Sequence, residues 1–132
     1  MTQRNIDVMD IIVSKMAEGT RLSKALKLVY NKRSVLIPYN EGHFDTSLMD
    51  LGMTSRSTNA LLRAKLRTLG DVIEFCKAKK ITDIANLGKS SGIEVFETIL
   101  DYCWERMTKK EKELFLIDTI ERNSGNIRSE IA

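Results

Sequence analysis

Apolar residues recur along the first 30 positions at the three- and four-residue steps of two α-helices, with polar residues between them. The first predicted helix ends at Gly19, because glycine commonly terminates a helix, and the second covers TRLSKALKLVYN. The apolar stripes of the two helices are Val8, Met9, Ile12, Val13 and Met16, then Leu22, Ala25, Leu26 and Val29. Arg21, Lys24 and Lys27 point outward from the second helix.

Two short helices on either side of a glycine suggest a helix-turn-helix motif, which would place a third, recognition helix in a DNA groove. The next segment, KRSVLIP, is instead rich in β-branched residues and ends at Pro38. The sequence therefore favours packing or dimerisation over DNA recognition for this arm. The only histidine, His43, follows in an acidic loop and is predicted to be exposed and without a ligand role.

Short helices with their own caps occupy the middle of the sequence. Thr54 is predicted to cap a helix over SRSTNALLRAK. Thr68 and Asp71 have the spacing of a capping box, which opens the helix DVIEFCKAK. Thr82 is predicted to cap one further, brief turn.

A long helix is predicted to follow the loop NLGKSSG and to run to about Met107. Thr108 and Glu111 form another capping box, which opens a last helix, KKEKELFLIDTIERN, and the residues after this helix are expected to fray. Its LFLI block is apolar on more than one face, so this helix is either covered by the fold or meets another subunit. The predicted buried stripe of the long helix is Ile93, Phe96, Ile99, Leu100, Cys103 and Trp104. No strand alternation is convincing, so the pattern predicts an all-α fold.

The composition agrees with a small helical protein. The 132 residues are 42% hydrophobic, enough for one compact domain or for a small domain with helical extensions. No apolar run has the roughly 20 residues of a membrane span, and the first residues lack the apolar block of a signal peptide. Cys76 and Cys103 have neither CxxC spacing nor a nearby histidine. These features predict a cytoplasmic protein with reduced thiols and without a metal or other cofactor.

Charge is distributed unevenly although the net charge is only +3. From Met53 to Gly70 the sequence has no acidic residue, whereas four basic residues fall inside this stretch: Arg56, Arg63, Lys65 and Arg67. Such a cluster fits an anionic polymer as a partner, and a solvated basic face explains it equally well.

The loop NLGKSSG has the residue types of a phosphate-binding loop. A nucleotide P-loop requires a glycine five residues before Gly88 and a strand ahead of it, but Asp83 stands there after a helical turn. The remaining interpretation is a hairpin between two helices. The amides of Lys89, Ser90 and Ser91 would begin the second helix, whose N-terminus favours an anion. Such a helix-hairpin-helix grips one phosphate of a duplex without recognising sequence.

The helix predicted after Thr54 supplies side chains suited to a DNA groove. Arg56, Asn59 and Arg63 lie at steps of three and seven residues on one face, and Leu61 and Leu62 point to the other. Arginine and asparagine suit the minor groove, where a narrow A·T tract concentrates negative potential and offers acceptors.

Residues 48–104 resemble the C-terminal domain of the bacterial RNA polymerase alpha subunit, and two segments carry the resemblance: TSRSTNALLRAKLRTLGDVI and NLGKSSGIEV. The resemblance implies a compact helical domain with a helix-hairpin-helix that binds A·T-rich minor grooves and contacts transcription activators. It implies minor-groove contact by Arg56, with Asn59 and Ala60 beside it. The second cluster that it implies is Gly88, Ser91 and Glu94, with Lys89 and Ser90 in the same loop.

The sequence departs from the family pattern at three positions. The family commonly has a second lysine where this protein has Ser90, a cysteine at Ala60 and a bulky aliphatic residue at Gly92. The missing lysine is expected to remove about one phosphate contact and to weaken binding, especially in salt.

The resemblance and the patterns together predict three parts: an N-terminal arm of two helices (1–40), an alpha C-terminal-like domain (41–107), and a C-terminal helix with a frayed tail (108–132). The predicted architecture is a compact bundle of short helices flanked by this arm and helix. About 50 residues precede the resembling segment, and they do not resemble the large polymerase-assembly domain of an alpha subunit.

Three classes of function follow. The favoured one is a transcription-associated, nucleoid-associated protein that binds double-stranded DNA, with RNA polymerase or a regulator as a further partner. The second is a protein-interaction module that binds polymerase, a regulator or a second copy through the flanking helices, with little DNA binding. An enzyme is least favoured, because the sequence shows no paired carboxylates with a nucleophile, no metal cluster and no nucleotide loop in context.

Overall fold

A computed structural model describes residues 1–31, 44–84 and 87–131, apart from the side chain of Thr82. Over these residues the fold is all-α, as predicted, with two isolated β-bridges and no strand. None of the described helices is long and apolar enough to cross a membrane. The segment KRSVLIP and His43 lie outside the described residues. The helices are α1 (Gln3–Ala17), α2 (Leu22–Val29), α3 (Ser55–Arg63), α4 (Leu69–Ala78), α5 (Lys89–Glu105) and α6 (Lys109–Arg122).

The protein divides into two compact units, and the boundary between them falls within α5. The arm unit contains Met1–Leu36 and Trp104–Ala132, and the central unit contains Ile37–Cys103. The N-terminal arm and the C-terminal helix, which were predicted as two separate parts, thus contribute residues to one unit.

In the arm unit, α1 has capping contacts at both ends, of which the sequence predicted the one at Gly19. The Thr2 side chain accepts a hydrogen bond from the Asn5 amide at 3.2 Å. At the other end Gly19 has a φ of +102°, and the Thr20 amide donates to the Lys15 carbonyl at 3.0 Å. This is the glycine-terminated pattern expected of Gly19. The helix packs on α2 and on α6.

The segment after α6 is fixed by backbone pairing, which corrects the predicted frayed tail over residues 126–128. The Arg128 amide donates to the Val29 carbonyl at 2.9 Å, and the Asn31 amide donates to the Asn126 carbonyl at 3.0 Å. Ile127 lies between these bonds and is 7% exposed. Burial of an apolar side chain and two backbone hydrogen bonds hold this segment against the end of α2.

The central unit packs α3, α4 and α5 around one core. The cap predicted at Thr54 and the capping box predicted at Thr68 are both present. The segment before α3 is held against the start of α4, where the Gly70 amide donates to the Phe44 carbonyl at 3.0 Å. A Cβ at Gly70 would lie 3.0 Å from that carbonyl oxygen, a tight contact that glycine avoids. The buried core residues are Leu48, Ala60, Leu61, Leu69, Val72, Ile73, Ile84, Leu87, Val95, Ile99 and Cys103.

Three local predictions were wrong. Thr82 lies inside the 3₁₀ turn Ile81–Asp83 and not before it, where Lys80 is the N-cap residue and its amide donates to the Asp83 carboxylate at 3.0 Å. Val13 and Ile93 were placed in buried stripes, yet they are 50% and 40% exposed. Both lie at the edge of their helix's apolar face, where the tertiary contacts and not the spacing decide burial.

Candidate nucleic-acid interface

Helix α3 presents the three polar side chains that the sequence singled out. Arg56, Asn59 and Arg63 are exposed, because the opposite face of α3 is packed into the core through fully buried Leu61. Thr54 fixes the start of the helix by accepting a hydrogen bond from the Ser57 amide at 3.3 Å. A rigid, capped helix therefore holds an arginine, an asparagine and a second arginine toward solvent.

Ala60 belongs to the core and not to this exposed face. It is 2% exposed and lies among the buried residues of the central unit. Its methyl group is one of the contacts by which α3 packs. A methyl group that protein atoms cover offers DNA little surface, so we leave Ala60 out of the proposed DNA contacts.

Helix α3 and the start of α5 come together at Arg56 and Gly88. The guanidinium Nη2 of Arg56 lies 3.9 Å from the position that a Cβ on Gly88 would occupy. These residues are far apart in sequence, and each belongs to a different one of the two predicted clusters. The structure thus brings the arginine beside the backbone of the glycine loop.

The start of α5 offers backbone donors at this place. The Gly92 amide donates the first helical hydrogen bond to the Gly88 carbonyl at 2.9 Å, so the amides of Lys89, Ser90 and Ser91 precede any intrahelical acceptor. Lys89 and Ser90 are exposed, and Ser91 is half-buried. A helix N-terminus carries partial positive charge, to which the Lys89 ammonium adds. The arrangement is chemically suited to a phosphate oxygen.

Gly88 does not need a left-handed backbone. Among the described glycines, positive φ angles occur at Gly19 and Gly52. At Gly88 the useful property of glycine is therefore its bare backbone, which lets another group approach closely.

Glu94 joins the two elements of the interface. Its Oε1 accepts a hydrogen bond from the Thr54 hydroxyl at 2.8 Å and a longer one from the Thr54 amide at 3.4 Å. The pKa of Glu94 lies below its ordinary value because the Ser57 side chain donates to the carboxylate and the Thr54 donors add to this. A carboxylate is an acceptor only and repels phosphate, so we assign Glu94 to holding the start of α3 against α5.

Glu94→Ala is expected to lower the free energy of unfolding by about 1 kcal/mol at neutral pH, because Thr54 loses a charged acceptor. Glu94→Gln keeps an oxygen acceptor and should recover part of this loss. A group with a lowered pKa stabilises the fold above its unfolded-state pKa and loses this effect as pH falls through the folded-state pKa. Urea unfolding should therefore show wild type and Glu94→Ala converging below about pH 4. A difference that stays the same at pH 3 would contradict this role.

The basic stretch after α3 contains a backbone feature that the sequence did not reveal. Lys65 has a φ of +66°, and the Leu66 amide donates to the Leu61 carbonyl at 3.0 Å. Glycine usually occupies such a left-handed position at a helix end. Because lysine occupies it here, the sequence predicted α3 to continue to Lys65, two residues beyond its observed end at Arg63. An acidic group lies near this basic stretch in the fold: Asp71 accepts a hydrogen bond from the Arg67 amide at 2.9 Å, which is the largest cause of its lowered pKa, and the Arg67 charge adds to the lowering.

The segment that carries the candidate interface is similar to a known family. The family of the C-terminal domain of the bacterial RNA polymerase alpha chain matches residues 38–101. The protein has an alpha C-terminal-domain-like domain. This domain includes every residue of the candidate interface, while the described helices α1, α2 and α6 lie outside the match.

A curated relative supports the alpha C-terminal-domain-like assignment. The DNA-directed RNA polymerase subunit alpha of Trieres chinensis is 32% identical over 57 residues, which is 43% of this chain. The chain spans 18% of the length of that relative. No solved structure matches the protein. Within the described residues there is no group of three or more His, Cys, Asp and Glu side chains arranged to hold a metal ion.

Proposed function

We propose that the alpha C-terminal-domain-like domain binds double-stranded DNA in transcription, through the minor groove and the adjacent phosphate backbone. The observation that carries this proposal is the approach of the Arg56 guanidinium to the Gly88 backbone, 3.9 Å from the position of a Cβ there. The family to which the domain is similar is part of RNA polymerase, which agrees with action on DNA in the cytoplasm, at the nucleoid.

Two kinds of contact make up the proposed interface. Arg56 and Asn59 enter the minor groove, where arginine responds to the negative potential of a narrow A·T tract and asparagine bonds to base acceptors. The amides at the start of α5, with Lys89 and Ser90, bind a phosphate as the second half of a helix-hairpin-helix. Glu94 keeps the two contacts in register by its bond to Thr54. The phosphate contact supplies affinity and the groove contact supplies the A·T preference.

The test compares two labelled duplexes of equal length, one A·T-rich and one G·C-rich, by fluorescence anisotropy at low salt. We expect the A·T-rich duplex to bind at least about fivefold more tightly, because the guanine amino group places a donor in the minor groove and a G·C-rich duplex lacks the narrow, negative groove of an A·T tract. A small ligand that occupies A·T minor grooves should compete with the protein. Equal affinity for the two duplexes, or binding unaffected by the competitor, contradicts the minor-groove assignment.

A second candidate function is favoured by one observation on α6. Leu114 is 59% exposed although the neighbouring Leu116 is buried, so the LFLI block leaves an apolar side chain in solvent. RNA polymerase, a transcription regulator or a second copy of the protein would cover it. Light scattering of the protein alone and with polymerase detects self-association and a polymerase complex, and a monomer that does not bind polymerase argues against both of these partners.

A further inference from the structure

The outward face of α2 consists largely of basic residues held on a rigid support. The opposite face is packed completely: Leu22, Ala25, Leu26 and Val29 are 0–1% exposed. Arg21, Lys24 and Lys27 are exposed at three-residue steps, and the sequence has no acidic residue from Gly19 to Asn40. Three residues correspond to about 4.5 Å along a helix, so the three cations span roughly 9 Å.

A fourth cation reaches this face from the far end of the sequence. The Nε of Arg128 donates to the Lys27 carbonyl at 3.1 Å, across 101 positions of sequence. The bond caps a carbonyl at the end of α2 and uses one of the five N–H donors of the guanidinium. The backbone pairing of Arg128 with Val29 sets this position. We call Arg21, Lys24, Lys27 and Arg128 the arm basic face.

We propose that the arm basic face binds the phosphate backbone of duplex DNA, as a second contact beyond the minor-groove interface. Its four members are all cations and three of them are spaced regularly along one helix, which suits a polymer with regularly spaced negative charges. Helix α6 of the same unit differs because its start carries charges of both signs: Lys109 and Lys110 are followed by Glu111 and Glu113. The contact is electrostatic and independent of base sequence. It does not require Arg56, which belongs to the central unit.

The experiment compares two variants that each remove two positive charges from exposed positions, Arg21→Gln/Lys24→Gln and the control Lys109→Gln/Lys110→Gln. Binding to a labelled duplex of mixed sequence is measured by anisotropy over a series of salt concentrations. Each lost phosphate contact reduces the slope of log K against log salt by about 0.9. We expect the arm variant to lose about 1 to 2 of slope, Arg128→Gln about 1, and the control less than about 0.5. An arm variant whose slope equals that of the control overturns the proposal.

The same variants in an Arg56→Ala background separate this inference from the proposed function. A slope that falls on arm substitution in both backgrounds supports the arm contact. If Arg56→Ala weakens binding but the arm variant keeps the control slope, the arm contact is wrong and the minor-groove site stands. If Arg56→Ala has no effect but the arm variant loses slope, the minor-groove site is wrong and the arm contact stands. A titration with poly-glutamate tests an acidic protein partner, and a loss confined to that polymer overturns the assignment to DNA.

Discussion

Arg56→Ala is expected to weaken binding to an A·T-rich duplex by about 10- to 100-fold, with little effect on the stability of the fold. The magnitude follows from the roughly 1–3 kcal/mol that one base-contacting arginine contributes. Arg56 is exposed on α3 and belongs to no buried cluster of the central unit. The loss should be larger for the A·T-rich duplex than for the G·C-rich one, because the side chain is proposed to sense the narrow groove. Anisotropy with both duplexes measures it.

Two further variants control for charge. Arg122→Ala also removes an arginine, one that is paired with Asp118 at 2.9 Å in the arm unit, and it should leave A·T-rich binding within about twofold of wild type. Arg56→Lys keeps the charge but loses the planar donor fork, so it should retain general affinity and lose A·T preference. Arg56→Ala that binds as tightly as Arg122→Ala would show that the α3 face does not contact DNA.

The helix starts could be predicted because the signals for them are local. Thr68 with Asp71 and Thr108 with Glu111 satisfy each other's donors within one turn, and the structure contains both reciprocal pairs. Gly19 ended α1 for the same reason, since a left-handed residue is needed there and glycine supplies it. Caps of this kind involve residues three or four positions apart, which a single sequence displays directly.

Contacts between distant residues could not be predicted in this way. Arg128 has no sequence feature that assigns it to α2, because its position depends on the backbone pairing of residues 126–128 with the end of that helix. The bond between Glu94 and Thr54 likewise appears only when α3 and α5 pack together. Ala60 was assigned to the interface by resemblance, whereas packing places it in the core. The sequence indicated which residue types form the candidate interface, but the contacts between these residues could be found only in the folded structure.

Gly88→Ala is expected to leave the stability of the protein nearly unchanged while weakening DNA binding by about tenfold. An added Cβ would meet only Arg56 Nη2, at the ordinary contact distance of 3.9 Å. Alanine lowers the entropy of the unfolded chain, which stabilises the fold by about 0.5–1 kcal/mol relative to glycine. Alanine is also less favourable than glycine at a helix start by a similar amount, so the two effects offset each other. In the complex, the methyl group would occupy the space between a phosphate and the amides of α5, and a lost hydrogen bond to a charged group costs about 1.5 kcal/mol.

Gly125→Ala is the matched control, because a Cβ at Gly125 would meet nothing within 4 Å and the residue lies in the arm unit. Urea unfolding should give both alanine variants the stability of wild type, within about 0.5 kcal/mol. Anisotropy should then show weaker binding for Gly88→Ala alone. Equal binding by the two variants would mean that no phosphate approaches the start of α5. If Gly88→Ala is as stable as wild type and yet binds DNA more weakly, the bare backbone at Gly88 serves the bound phosphate and not the fold.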